Sequence, residues 1–288
     1  MPKKFLFYLL FLVFGFAIVI GGYANRYIKD QTGLSLFAKR PFISVLVTSY
    51  NYERYIRQTL DSVLAQTYKN YEVIIVDDGS TDNSVNVINE YVNKYKNFHL
   101  YQHEGGINKG LPTSFKLGVE KAKGAYIAVL ESDDYWAPNN LLEKVKMINK
   151  HPDAVIISNN IIPFGDDFDE VSKAKPYVEL LNHSFQEKNA VTVTDDLFNH
   201  IPTFSAVMIK KDVLKNLDFD TPIPAFLDLY LYKQILAKYP LYYIAKPLTY
   251  WRRHTKSYNA ISNQVNNYAK EKEFLRKIKE VLARQKDI

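Results

Sequence analysis

From Pro41 onward the hydrophobic positions follow two alternating patterns. Short apolar runs at 42–48, 71–76, 98–102 and 125–130 each stop at a polar cluster. Buried strands of a parallel sheet read this way. Between the runs, apolar residues recur three or four apart, as in Ile56, Leu60, Val63 and Leu64 within 53–66. The same helical spacing continues at 84–95, at 111–122 before the stop at Gly124, and at 138–150 with Pro138 in the first turn. One more strand is predicted at 153–158. Strands alternating with helices predict an α/β class, with a mostly parallel central sheet flanked by helices.

In such sheets ligands bind beyond the carboxyl ends of the strands. Three exits are chemically loaded: Thr48 and Tyr50, Asp77 and Asp78, and the run Glu131-Ser132-Asp133-Asp134. Carboxylates packed this closely repel one another unless a cation or a hydrogen-bonded ligand sits among them. Oxygen ligands suit Mg²⁺ or Mn²⁺, which in turn hold phosphates. The plainer alternative is a polar turn in which Asp133 or Asp134 caps the next helix.

Upstream, residues 5–24 carry no charge, enough to cross a bilayer as one helix. Lys3 and Lys4 precede the run and Arg26, Lys29, Lys39 and Arg40 follow it, so the flanks leave orientation open. Gly22-Tyr23-Ala24 would suit a signal-peptide cleavage site, but the run is long for a signal core. The expected organisation is an uncleaved anchor at 1–24, a linker at 25–40, an α/β domain at 41–258 with halves 41–160 and 161–258, and a helix at 259–288. That helix carries Ile261, Val265, Tyr268, Leu275, Ile278 and Leu282 at helical spacing among many Lys and Arg. It is expected to pack on the domain, the alternative being an amphipathic helix on anionic lipid.

Composition narrows the chemistry. A chain of 288 residues holds one large domain plus appendages. The absence of cysteine excludes disulfides, thiol nucleophiles and cysteine-ligated zinc. A net charge of +6 suits anionic partners such as diphosphates or lipid headgroups. No dense basic run with interleaved aromatics is present, so nucleic acid is not an expected partner.

Five blocks, in order, resemble the family-2 glycosyltransferases, which have the GT-A fold. They are Ser44-Val45-Leu46-Val47-Thr48-Ser49-Tyr50-Asn51, Val76-Asp77-Asp78-Gly79-Ser80-Thr81-Asp82, Asn108-Lys109-Gly110, Ala122-Lys123-Gly124-Ala125-Tyr126-Ile127 and Leu130-Glu131-Ser132-Asp133-Asp134-Tyr135-Trp136-Ala137-Pro138. The resemblance implies that Thr48 and Tyr50 contact a nucleobase and ribose, and that Asp78, with Asp77 beside it, accepts a uracil-like N3–H. Asp133 matches the last acid of the family's metal-binding Asp-x-Asp motif and would ligate Mn²⁺ or Mg²⁺ on the donor diphosphate. Asp134 would orient a metal-bound water or the donor sugar. Glu131 departs from the usual Asp and is a doubtful ligand.

Further along, 203–211 resembles the family's acceptor-side strand, and 226–232 takes the place of its acidic helix-opening segment. Only one acid stands there, so Asp228 is the implied general base, with Asp218 and Asp220 as fallbacks. Asp166, Asp167 and Asp169 are read as a solvated face. Trp251-Arg252-Arg253-His254 resembles the segment that closes the donor site. His254 would reach the metal or diphosphate, and Arg252, Arg253 or Lys256 would pair with phosphate. The implied function is an inverting, metal-dependent transfer from a UDP-sugar to a glycan or lipid-linked acceptor, in surface polysaccharide or glycolipid synthesis. Because nucleotide sugars are made in the cytosol, a bacterial chain of this kind is expected to be membrane-anchored with its domain on the cytoplasmic face. Two alternatives remain: a catalytically silent relative that binds nucleotide or glycan, and a nucleotidyltransferase. The latter needs a glycine-rich basic loop after the first strand, and 48–52 has neither glycine nor Lys/Arg.

Overall fold

The computed structural model describes residues 33–35, 38–184, 187–189, 199–255 and 268–286. The apolar run at 5–24 lies outside them. Among the described residues no helix is long and apolar enough to cross a membrane. The chain divides into Met1–Arg40 and Pro41–Ile288; the second unit carries the sheet and the site.

Its first half follows the hydrophobic pattern closely. Strands β1 (Ile43–Ser49), β2 (Tyr71–Asp77), β3 (Phe98–Gln102) and β4 (Tyr126–Glu131) pair in parallel in the order β3-β2-β1-β4. Helices α1 (Ile56–Leu64), α2 (Ser84–Lys94) and α3 (Leu111–Lys121) connect them. Side chains on both faces of β1 and β2 are buried, which is why these strands read as unbroken apolar runs. Strand order reverses at β1, with β2 and β3 on one side and β4 on the other. At such a switch point the loops diverge and leave a crevice outside the carboxyl ends.

The second half corrects the expectation of a mostly parallel sheet. It contains β5 (Tyr135–Trp136), α4 (Asn140–Lys150), β6 (Ile156–Phe164), α5 (Phe168–Ser184), β7 (Lys188–Asn189), β8 (Val207–Lys210), α6 (Lys211–Leu214), α7 (Leu227–Leu236), β9 (Leu241–Arg252) and α8 (Tyr268–Lys286). Strand β8 runs antiparallel between β4 and β6, whereas β9 runs parallel to β6 and antiparallel to β5 and β7. The sheet is therefore mixed. An antiparallel step from β6 to β8 places the ends of their connection at the carboxyl edge. The end of β9 reaches the same edge. Two segments far apart in sequence are thus delivered over the crevice.

Two local differences have physical causes. The strands expected around 241–244 and 248–250 are one strand, β9, whose exposed Ala245, Lys246 and Pro247 bulge where the register against Asn160 shifts. Helix α5 had no clear apolar stripe, and it contains Pro176. As expected, helix α8 packs on the domain, burying Phe274, Ile278 and Val281 against Leu229 and Tyr230 of α7.

Candidate active site

The loops after β1 and β2 are laced into one unit. Asn51 adopts a left-handed φ of 59°. Its side chain accepts the Thr81 N–H at 2.8 Å, and its own N–H donates to Ser80 Oγ at 2.9 Å. Glu53 N–H donates to Asp82 at 3.0 Å, and Asn83 N–H donates back to Glu53 at 2.8 Å. Asp77 belongs to this scaffold. Fully buried, it accepts from Ser80 N at 2.9 Å and Ser80 Oγ at 2.6 Å. It does not line the cavity, contrary to its expected place at the donor.

Gly79 sits between this unit and the 106–108 loop with φ +78°; a Cβ there would lie 2.6 Å from Gly106 O and 2.8 Å from Asn108 N. Backbone cannot yield as a flexible side chain can. Gly79→Ala should destabilise the domain by about 2–3 kcal/mol. In a domain of this size that corresponds to a Tm lower by roughly 5–10 °C. Differential scanning calorimetry checks it, and a Tm unchanged within a degree or so would contradict the geometry.

A cavity of about 1250 Å³ opens above the switch point. Its walls include Thr48 and Tyr50 after β1, Asp78 after β2, Glu131 and Asp133 at β4, Asp228 in α7, and Arg252, Arg253 and His254 at the end of β9. Nearly all the residues singled out in the sequence therefore converge on one space. The fallback bases do not. Asp218 accepts the Tyr230 hydroxyl at 2.9 Å, Asp220 pairs with Lys277, and neither faces the cavity.

The acids of the β4 exit divide their work. Asp134 is buried and accepts the Arg252 N–H at 2.7 Å. It ties the β9 end to the β4 turn and does not line the cavity, so its role differs from the expected contact with water or sugar. Glu131 accepts the Thr203 hydroxyl at 3.0 Å. Burial, reinforced by the charges of Asp133, Asp134 and Asp228, pushes Glu131 well above the usual carboxylate range. Burial and Asp133 do the same to Asp134. Asp228 is partly buried and pushed up to about 6, chiefly by burial; the Leu229 N–H at 2.7 Å and the Asn199 amide at 3.2 Å limit the rise.

The basic residues are more committed than expected. The Arg252 guanidinium lies 4.4 Å from the centres of both the Tyr55 and Phe164 rings. Its Nε donates to the Asp133 carbonyl at 2.7 Å, and a terminal nitrogen reaches Gln58. Arg253 pairs with Glu170 at 3.0 Å and stacks over Trp251 at 4.4 Å. Both brace the wall instead of presenting free cations to phosphate. Lys256 lies outside the described residues.

Asp166, Asp167 and Asp169 stand at the cavity, and Asp166 and Asp169 are exposed there, as expected of a solvated face. The β6–β8 reversal puts them there. Asp166 pairs with Arg54 at 2.7 Å, and Asp167 caps α5 by accepting the Glu170 N–H at 3.1 Å.

His254 Nε2 stands 3.2 Å from Asp133 Oδ2, and His254 Nδ1 is buried with no hydrogen-bond partner among the described residues. Neighbouring ligands of an octahedral ion at about 2.1 Å are about 3.0 Å apart. The carboxylate–imidazole pair therefore has the chemistry and spacing to share a small divalent cation. Among the described residues no group of three or more His, Asp or Glu forms a protein-only cage. Mg²⁺-type ions are commonly held by one or two side chains plus substrate phosphates, and the pair fits that mode.

Sequence reasoning missed several residues. Ser49 and Ser132 line the cavity with buried hydroxyls that lack partners among the described residues. Such groups cost about 1–3 kcal/mol when left unpaired, so they are candidate ligand contacts. Thr203, Asn199, His103 and Ser114 reach Glu131, Asp228 and Asp78 from distant segments. No local pattern marks them.

The model of the family described as Glycosyl transferase family 2 matches residues 44–217. The chain belongs to this glycosyltransferase family. A Haemophilus influenzae protein described as an uncharacterized glycosyltransferase is 43% identical over 104 residues, 36% of this chain and 40% of that protein. The putative glycosyltransferase EpsH of Bacillus subtilis is 35% identical over 133 residues, 46% of this chain and 36% of its own length. The chain thus spans 40% or less of these curated relatives. Among solved structures, S. aureus TarS 1-349 in complex with UDP superposes with a TM-score of 0.57 at 19% identity, covering 82% of this chain and 70% of that one. Mannosyltransferase PcManGT from Pyrobaculum calidifontis, in complex with GDP-Man and Mn²⁺, gives 0.57 at 16% identity, covering 96% and 80%. These likenesses establish for this glycosyltransferase-family chain the α/β, GT-A-type fold expected from its motifs.

Proposed function

We propose that the chain is an inverting glycosyltransferase that moves a sugar from a UDP-sugar to a hydroxyl of a glycan or lipid-linked acceptor. The observation that carries this reading is the convergence of Asp228 and the Asp133–His254 pair on one cavity with the nucleotide-side residues Thr48, Tyr50 and Asp78. The solved relatives that hold UDP, UDP-GlcNAc and GDP-Man support a nucleotide-sugar donor.

The chemistry follows from the side chains. Thr48 and Tyr50 hold the base and ribose, and Asp78 accepts a ring N–H. Arg252 keeps the Asp133 turn in place through its carbonyl. Asp228 takes the proton from the acceptor hydroxyl, leaving its oxygen to attack the anomeric carbon. Attack from the face opposite the leaving diphosphate inverts the configuration. An elevated affinity for protons suits a general base working near neutral pH. Mn²⁺ or Mg²⁺, held by Asp133 and His254, would offset the charge developing on the diphosphate.

The product class proposed is a surface polysaccharide or glycolipid. The apolar run at 5–24 would anchor the enzyme in a membrane, with the domain on the cytoplasmic face where nucleotide sugars are made. Digestion of intact cells or spheroplasts by protease tests this: a domain cleaved from outside would sink that orientation.

A panel of nucleotide sugars with Mn²⁺ tests the donor. At a hundred times its Kd a ligand stabilises the native state by about 2.7 kcal/mol, so the matching UDP-sugar should raise Tm by roughly 5–10 °C. The same UDP-sugar should be hydrolysed slowly when acceptor is absent. Binding without turnover, even with acceptor extracts, would favour a silent nucleotide- or glycan-binding relative.

A further inference from the structure

Behind Asp78 stands a buried chain of hydrogen bonds that none of the expected site residues accounts for. His103, Ser114 and Asp78 are 9%, 0% and 5% exposed. Ser114 Oγ donates to Asp78 Oδ1 at 2.9 Å, and Lys109 N–H donates to the same oxygen at 2.8 Å. Gly110 N–H donates to Oδ2 at 2.9 Å. A hydroxyl has one hydrogen to give. With that hydrogen on Asp78, the 2.8 Å contact between Ser114 Oγ and His103 Nε2 must be donated by the imidazole. The proton order is therefore His103 Nε2–H to Ser114 Oγ–H to Asp78 Oδ1.

This order leaves the two carboxylate oxygens unequal. Each has about two lone-pair sites. Both sites of Oδ1 are taken, by Ser114 and Lys109, whereas Oδ2 holds only Gly110 and keeps one site. Asp78 and Ser114 both line the cavity. The carboxylate consequently offers a ligand one acceptor position, not two. A uracil edge brings one N–H, flanked by carbonyls. A guanine edge brings an N–H and an amino group side by side, and pairs best with a carboxylate that accepts through both oxygens.

We propose that His103 and Ser114 are positioning residues that occupy one oxygen of Asp78 and so select a single-donor imide base, uracil, over guanine in the donor nucleotide. The inference rests on the reading of the cavity as a nucleotide-sugar site. It deepens that reading by naming what sets base specificity. Removing Ser114 vacates a site on Oδ1 and opens room beside it. Removing the imidazole leaves the Ser114 proton on Asp78 but takes away the donor that fixes the hydroxyl, so Oδ1 is occupied less firmly, a smaller effect than losing Ser114.

The test is the ratio of UDP to GDP affinity, measured by calorimetric titration of the full chain with Mn²⁺ present. Wild type should favour UDP. A hydrogen bond to a charged group is worth about tenfold or more in affinity, so Ser114→Ala should lower the UDP:GDP ratio by at least about tenfold, and His103→Phe should lower it by less. His103→Gln, which can still donate to Ser114, should keep the wild-type ratio. A purely structural role would weaken both nucleotides together and leave the ratio unchanged, overturning the inference. A wild-type preference for GDP would overturn it as well. Wild type binding neither nucleotide would instead remove the nucleotide-sugar reading itself. Should Ser114→Ala fail to fold by circular dichroism, Ser114→Cys, whose thiol is only a weak donor, decides on the same ratio: it should fall, and an unchanged ratio would overturn the inference.

Discussion

Asp228→Asn should lose turnover by about 10²–10⁴-fold while keeping its affinity for the UDP-sugar. Single-turnover transfer and a binding titration on the same preparation separate the two effects. Asparagine preserves the shape and can still accept the Leu229 N–H, so the pocket need not collapse. What disappears is the group that receives the acceptor's proton. The carboxyl is pushed up to about 6. Wild-type kcat should therefore fall tenfold per pH unit below about 6 and level off above it, and the variant should lose that limb. Stability should move the other way. The native state binds this proton more tightly than the unfolded chain, whose carboxyl titrates near 3.8. Its favourable contribution is complete below about 3.8 and is lost as pH rises through about 6. At pH 7 the ionised carboxylate is thus a liability to the fold, and Asp228→Asn should raise Tm there but not at pH 4. Full activity in the variant would remove Asp228 as the base and pass the role to another carboxylate of the cavity wall, since Asp218 and Asp220 face elsewhere.

The nucleotide half of the fold was legible because parallel strands buried on both faces leave unbroken apolar runs, and the polar residues that end β1, β2 and β4 fall where such sheets bind ligands. Asp133, Asp78 and Asp228 were found in this way or through the family resemblance. Division of labour among neighbouring acids was not legible. Asp77 and Asp78 are adjacent, yet one caps Ser80 inside the scaffold and the other faces the cavity. Asp133 and Asp134 split likewise. Alternation of side chains at a strand exit decides which faces outward, and the pattern cannot show where regular alternation stops. The roles of Arg252 and Arg253 depended on Tyr55, Phe164, Glu170 and Trp251, three of which are remote in the chain. The antiparallel entry of β8 was equally hidden, because a four-residue apolar strand carries no mark of its direction. That entry nonetheless sets 166–169 and 202–204 around the site, so that the exposed Asp166 and Asp169 also stand at the cavity.

Asp133→Ala should abolish the part of UDP binding that depends on a divalent cation. Losing an outer partner of a metal ligand commonly costs 10–100-fold in metal affinity, so losing the carboxylate itself should cost more than about 100-fold. Titration of Mn²⁺ in the presence of UDP, followed by the ion's paramagnetic signal, reads this directly and does not require turnover. His254→Ala should weaken the same signal less, because imidazole brings no charge to offset the cation. The geometry also predicts what should not happen. Asp134→Ala leaves the Asp133–His254 pair intact and removes a brace between the β4 turn and Arg252. It should lower Tm while Mn²⁺ still binds, with affinity reduced only within the outer-partner range. Glu131→Gln should retain Mn²⁺ binding too, since no third protein ligand is grouped with the pair among the described residues. If Glu131→Gln instead matched Asp133→Ala in its loss, Glu131 would have to swing from Thr203 onto the ion. The acids of the β4 exit would then act as a jointly ligating pair, and Asp133 would not be the principal anchor.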